Sequence, residues 1–92
     1  MFYLVCYDIV KDSRRLKVSQ LLEGYGMRVQ YSVFEVVLNE RQYEKLTVKL
    51  AKLIDIKEDQ VRFYPLSERN RKQVQIIGLQ PEMQVDDTAF II

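Results

Sequence analysis

The sequence predicts an α+β domain of ferredoxin-like β-α-β-β-α-β order, with an extra C-terminal strand and a second copy as partner. Three observations carry this. Strand-like and helix-like periodicities follow one another in that order along 92 residues, a length for one domain and not two. The first strand-like run, MFYLVCYDIV, is apolar on both faces up to Asp8, whereas the helices of so small a domain cover one face of a sheet. A chain of this size also buries only about 60–65% of the surface it exposes when unfolded, so its own core is modest and a partner would extend it.

The elements follow in order. Phe2 to Ile9 is a strand: Phe2, Leu4, Cys6 and Asp8 share one face, and Tyr3, Val5, Tyr7 and Ile9 the other. Ser13 to Tyr25 is a helix, because Val18, Leu21, Leu22 and Tyr25 fall at i, i+3, i+4, i+7. Asp12 or Ser13 suits its N-cap, and Gly24 and Gly26 suit a left-handed C-terminal residue. Cations in its first turn oppose the helix dipole, which an arriving phosphate would relieve. Arg28 to Leu38 is strand-like throughout, either as two short strands bent near Tyr31 and Ser32 or as one bulged strand. Asn39 to Ile54 is the second helix, with an Asn39/Gln42 capping box. Its apolar stripe is Tyr43, Leu46, Leu50, Leu53 and Ile54; Arg41, Lys45, Lys49 and Lys52 form a solvated basic stripe. Val61 to Leu66 is a strand whose Pro65 marks its end or a sheet edge. Ser67 to Lys72 is a basic connector, and Val74 to Leu79 is the extra strand. The domain therefore spans residues 1–79. Residues 80–92 form an acidic extension ending in AFII, suited to docking by strand addition.

Composition narrows the chemistry. No apolar run approaches the ~20 residues of a membrane span, and the start lacks the basic and small-residue features of a signal peptide. A single cysteine, Cys6, excludes an internal disulfide and points to a reducing cytoplasm. The chain has no histidine. That excludes Ser-His-Asp and Cys-His catalysis, and leaves Mg²⁺ or Mn²⁺ as the class of metal that the remaining oxygen ligands suit. The net charge is +1, but residues 11–28 hold five cations against two anions. The acidic tail thus masks a basic body fitted to polyanions.

The stretch YDIVKDSRRLKV holds the candidate site. Asp8 ends the first strand, where a rigid backbone delivers a carboxylate to a solvent edge. On the residues alone it is either a strand-end partner for Arg14 or Arg28, or a metal ligand. Two copies brought to a two-fold axis could share one divalent ion and act on a phosphodiester. Arg14, Arg15, Lys17 and Arg28 belong near the same end of the sheet, where arginine forks suit phosphate oxygens. Phe34 belongs to the core or an interface.

YDI, RR-x-K-V, RVQYSVFE, RFYPLSER and the terminal FII together resemble the small CRISPR-associated adaptation protein family, the second of the two core spacer-acquisition subunits. The resemblance covers essentially the whole chain. It implies a face-to-face sheet homodimer that sits between two adaptation-integrase dimers and holds a short DNA duplex. It also implies metal-dependent endonuclease activity on single-stranded RNA or double-stranded DNA, with Asp8 as the catalytic metal ligand. By motif position Tyr7, Arg15, Lys17, Arg28 and Phe34 support that site; Lys17 stands where some members have arginine. A non-catalytic DNA-holding adaptor is the alternative. A toxin-type ribonuclease of the virulence-associated D kind, sharing the fold, is a third reading.

Overall fold

The computed structural model describes residues 1–79. Its elements are β1 (Phe2–Asp8), α1 (Asp12–Glu23), β2 (Gly26–Gln30), β3 (Val33–Val37), α2 (Glu40–Leu53), β4 (Gln60–Leu66) and α3 (Glu68–Arg71). The strands form one antiparallel sheet in the order β2-β3-β1-β4. This is the ferredoxin-like arrangement that the periodicities predict. Central β1 pairs Val5 with Phe34 on one side and with Phe63 on the other.

The core lies between the helices and one sheet face. Val5, Tyr7, Ile9, Phe34, Val36 and Leu38 meet Val18 and Leu22 of α1 and Leu46 and Leu50 of α2. At the far end Tyr3, Tyr43 and Phe63 form an aromatic trio, with Tyr3 stacked on Tyr43 at 4.9 Å between ring centres. The opposite face carries Phe2, buried with the Arg71 guanidinium 4.1 Å from its ring centre, and Leu4, Cys6, Val33, Glu35 and Arg62, which are short of full burial or exposed. Burial pushes the Glu35 carboxyl up, and Arg71 partly offsets this. The thiol of Cys6 is likewise pushed up by burial, against a smaller opposing effect of Arg62. It is a protonated packing group rather than a nucleophile.

Helix α2 begins as its sequence specifies. The Asn39 side chain accepts from the Gln42 backbone N–H at 2.8 Å, and the Gln42 side chain accepts from the Asn39 N–H at 2.9 Å. Arg41, Lys45, Lys49 and Lys52 are exposed, as expected of a solvated stripe. Helix α1 differs. Lys11 is its N-cap and supplies no side-chain bond. Asp12 is already inside the first turn, where its carboxylate takes Arg15 instead. Neither Gly24 nor Gly26 is left-handed; Gly24 ends α1 at φ −75°. Gly26 is required for a different reason. A Cβ there would lie 2.1 Å from the Glu35 carbonyl oxygen and 2.6 Å from Val36 Cγ1. Only a bare backbone lets β2 approach β3 this closely.

The stretch 28–38 contains both anticipated features: two strands joined by a turn at Tyr31–Ser32, and a register shift between Arg28 and Gln30. Strand β4 is a sheet edge among the described residues, as Pro65 implies. The basic connector is in part a short helix, α3, capped by the Ser67 hydroxyl, which accepts from the Asn70 N–H. The extra strand expected over Val74–Leu79 is not formed; Ile77 and Leu79 are 90% and 95% exposed. An apolar alternating run specifies a strand only once a sheet edge is present for it to pair with, and sequence pattern does not supply that edge. The docking strand expected within 80–92 lies outside the described residues.

Candidate nucleic-acid and metal site at the end of β1

Asp8 is the last residue of β1, and its side chain is exposed. Among the described residues it makes no ion pair, so the strand-end salt bridge to Arg14 or Arg28 is not found. Both arginines are engaged elsewhere. Arg14 points to the β4 end of the loop, its Nε 2.7 Å from Asp59 Oδ2 and its Nη2 3.3 Å from Glu58. Arg28 donates from Nη1 to the Tyr31 carbonyl at 2.5 Å. The carboxylate of Asp8 is thus left available to a ligand.

The loop that carries Asp8 is clamped from two sides. Asp59, its side chain fully buried, accepts from the backbone N–H of Val10 at 2.9 Å, from that of Asp55 at 2.8 Å, and from Arg14. The Arg14 bond comes first among the causes that hold its carboxyl down at about 2. Arg15 grips the other side: its guanidinium donates to the carbonyls of Ile9 and Val10, and its Nη1 to Asp12.

Two adjoining clefts open beside this loop. One, of about 270 Å³, is lined by Tyr7, Asp8, Ile9, Arg15, Tyr31 and Ser32. The other, of about 550 Å³, runs from Tyr7, Arg15 and Tyr31 to Asp12, Leu16, Ser19 and Arg28. Tyr7, Arg15 and Tyr31 belong to both. Burial pushes the Tyr7 phenol up, against a smaller opposing pull from Arg28, so it stays neutral. Its hydroxyl is 3.5 Å from the Tyr31 carbonyl. Phe34 lies beneath, wholly buried, with Tyr7 stacked on it at 6.3 Å and the Arg28 guanidinium over its ring at 5.1 Å.

Of the residues that the sequence singled out, Tyr7 and Arg15 line both clefts, Asp8 lines the smaller and Arg28 the larger, with Phe34 buried beneath Tyr7 and Arg28. Two do not join them. Arg14 is held by Asp59 and Glu58, and Lys17 is exposed on α1 and lines neither cleft. The sequence places Tyr31 at the bend between two strand-like runs and interleaves it with the cations without requiring it to stack on a base; the structure sets it in the lining of both clefts. Asp59 gave no signal, because it lies 45 residues from Arg14.

The donor set also bears on a metal. The described residues contain no group of three or more carboxylate, cysteine or histidine ligands. Asp8 alone cannot form a cage. It does suit Mg²⁺ or Mn²⁺, hard ions that keep much of their water and take one or two carboxylates.

The depressed Asp59 carboxyl gives a pH prediction. A carboxyl lowered on folding stabilises the fold above its ordinary value near 3.8, and that contribution is lost as pH falls toward about 2. Asp59→Asn is expected to lower thermal stability at pH 7 and to flatten its decline between pH 4 and 2. Parallel wild-type and mutant profiles in scanning calorimetry would contradict the clamp.

The fold and cleft define a ferredoxin-like domain with a free strand-end carboxylate beside arginines and tyrosines, an arrangement suited to phosphodiesters. A match over residues 1–74 to the family model for the CRISPR-associated protein Cas2 makes the assignment specific: the chain belongs to that family. It is 49% identical to CRISPR-associated endoribonuclease Cas2 3 of Synechocystis sp., over 86% of each chain. It is 44% identical to CRISPR-associated endonuclease Cas2 2 of Thermus thermophilus, over 86% of this chain and 83% of the relative. Among solved structures, it resembles a chain of a partial Cas6-RT-Cas1–Cas2 complex, with a TM-score of 0.73 and 39% identity, covering 83% of this chain and 89% of that one. No helix among the described residues is long and apolar enough to cross a membrane.

Proposed function

We propose that this protein is a spacer-acquisition subunit of a CRISPR system. It acts as a homodimer with a metal-dependent endonuclease site, cutting single-stranded RNA or double-stranded DNA, and associates with dimers of the adaptation integrase. The carrying observation is the Asp8 carboxylate, without an ion pair among the described residues, on a cleft lined by Arg15 that adjoins a second cleft lined by Arg15 and Arg28. The relatives' names support nuclease chemistry, and the solved complex supports an integrase partner.

In this reading the Asp8 carboxylates of two copies hold a Mg²⁺ or Mn²⁺ ion. When bound, the ion supplies positive charge to a phosphodiester. Arg15 fixes the Ile9–Val10 carbonyls and so holds the Asp8 loop still. Arg28 places positive charge along the cleft. Tyr7 keeps a neutral phenol against the turn, and Phe34 holds Tyr7 and Arg28 in place. The part of the second sheet face around Leu4, Cys6 and Val33, short of full burial in the single chain, supports the second copy, because apolar strand faces are buried in stable folds.

Purified protein is expected to scatter light as a species of twice 11.0 kDa. It is expected to cut labelled RNA or duplex DNA in Mg²⁺ and not in EDTA. A second reading, a DNA-holding adaptor without catalysis, is favoured by one observation: among the described residues no group of three or more metal-ligating side chains forms around Asp8 or elsewhere. Intact binding with no cutting in either ion would establish that reading instead.

A further inference from the structure

We infer that the cleft between Tyr31 and Leu16 is a stacking subsite for one unpaired base of a nucleic acid whose backbone continues into the cleft lined by Asp8. The inference rests on the nucleic-acid reading above and names which part of such a ligand the larger cleft takes.

The first observation is continuity. The cleft that ends at Asp8 and the cleft that ends at Arg28 share Tyr7, Arg15 and Tyr31. A strand that runs along both clefts therefore passes Tyr31. The second is an exposed ring on a fixed backbone. Tyr31 is 76% exposed. Its carbonyl accepts from Arg28 at 2.5 Å and lies 3.5 Å from the Tyr7 hydroxyl, and the next carbonyl, of Ser32, accepts from the Tyr7 N–H at 3.1 Å. A ring presented from an immobilised turn loses little freedom on binding, which is what an aromatic platform requires. The third is the other wall. Leu16 lines the same cleft and is 57% exposed. An apolar side chain with an aromatic one is the pair that flanks extruded bases. A cleft of about 550 Å³ falls within the size range of small-molecule sites.

A base within a duplex is stacked on both sides and cannot enter. The subsite therefore selects single-stranded or frayed nucleic acid. It is sequence-tolerant, because every base has a π-face.

The test uses the full chain in EDTA, so that binding is read without cleavage. The probe is a short RNA carrying 2-aminopurine, offered single-stranded and, separately, fully paired. Wild-type protein is expected to quench the single-stranded probe. Tyr31→Ala is expected to abolish the quench and weaken single-strand binding by ~5- to 150-fold. Tyr31→Phe should keep both, and the duplex affinity should not change. Quenching that survives Tyr31→Ala overturns the inference. So does an equal loss of duplex binding, or a changed oligomeric mass in Tyr31→Ala, either of which would give the ring a different task. Failure of the nuclease reading looks different: quenching persists in EDTA, and no cutting appears when Mg²⁺ is restored.

Discussion

Asp8→Asn is expected to lower cleavage by ~10²-fold or more while leaving nucleic-acid binding and melting temperature close to wild type. The geometry separates the two effects. Asp8 is exposed and pairs with no cation among the described residues, so the isosteric amide breaks no bond of the fold. Surface changes of that kind usually stay within about 0.5 kcal/mol. The positive charge along the cleft, from Arg15 and Arg28, is untouched. Only the group proposed to hold the ion is neutralised. Mutant protein that still cuts in Mg²⁺ and stops in EDTA would place the metal elsewhere. A mutant that also unfolds would show Asp8 to be structural.

Phe34→Ala is expected to destabilise the domain by about 3–5 kcal/mol. Phe34 is wholly buried, touches Tyr7 by stacking and carries the Arg28 guanidinium on its ring. Its strand partners are Val5 on β1 and Arg28 on β2, so the cavity would open under the site as well as within the core. A domain stable by about 5–15 kcal/mol would lose a large share of that, or roughly 15 °C or more of Tm. Phe34→Leu should cost much less, because most of the volume is kept. A calorimetric shift of only a few degrees for Phe34→Ala would mean that the floor of the cleft collapses without cost.

Periodicity made the sheet-and-helix order legible because burial on one face is what periodicity reports. Both faces of β1 read as apolar, and the structure shows one face under α1 and α2 and the Phe2 end of the other under Arg71 of α3. Capping was legible at Asn39, where acceptor and donor are three residues apart. At α1 it was not, since Asp12 serves Arg15 rather than the helix end. The site was half legible. Asp8, Arg15 and Arg28 were found from charge and position, and the structure sets them along two adjoining clefts that share Arg15. The fate of Arg14 depended on Asp59, a contact that spans 45 residues and leaves no local trace. Val74–Leu79 has the composition of a strand, but composition names no partner.

Pro65 has a consequence for how the protein behaves when crowded. It sits opposite Tyr3 in the last strand of the sheet, and a proline is tolerated there only if its missing donor faces outward. The outward donors of β4 then come from Val61 and Phe63, and the row stops before the end of the strand. An added strand can be held along the first part of this edge, whereas one in full register along its length finds a gap. Open-ended growth of sheet on sheet, the route to insoluble fibres, is blunted at the edge by a single residue.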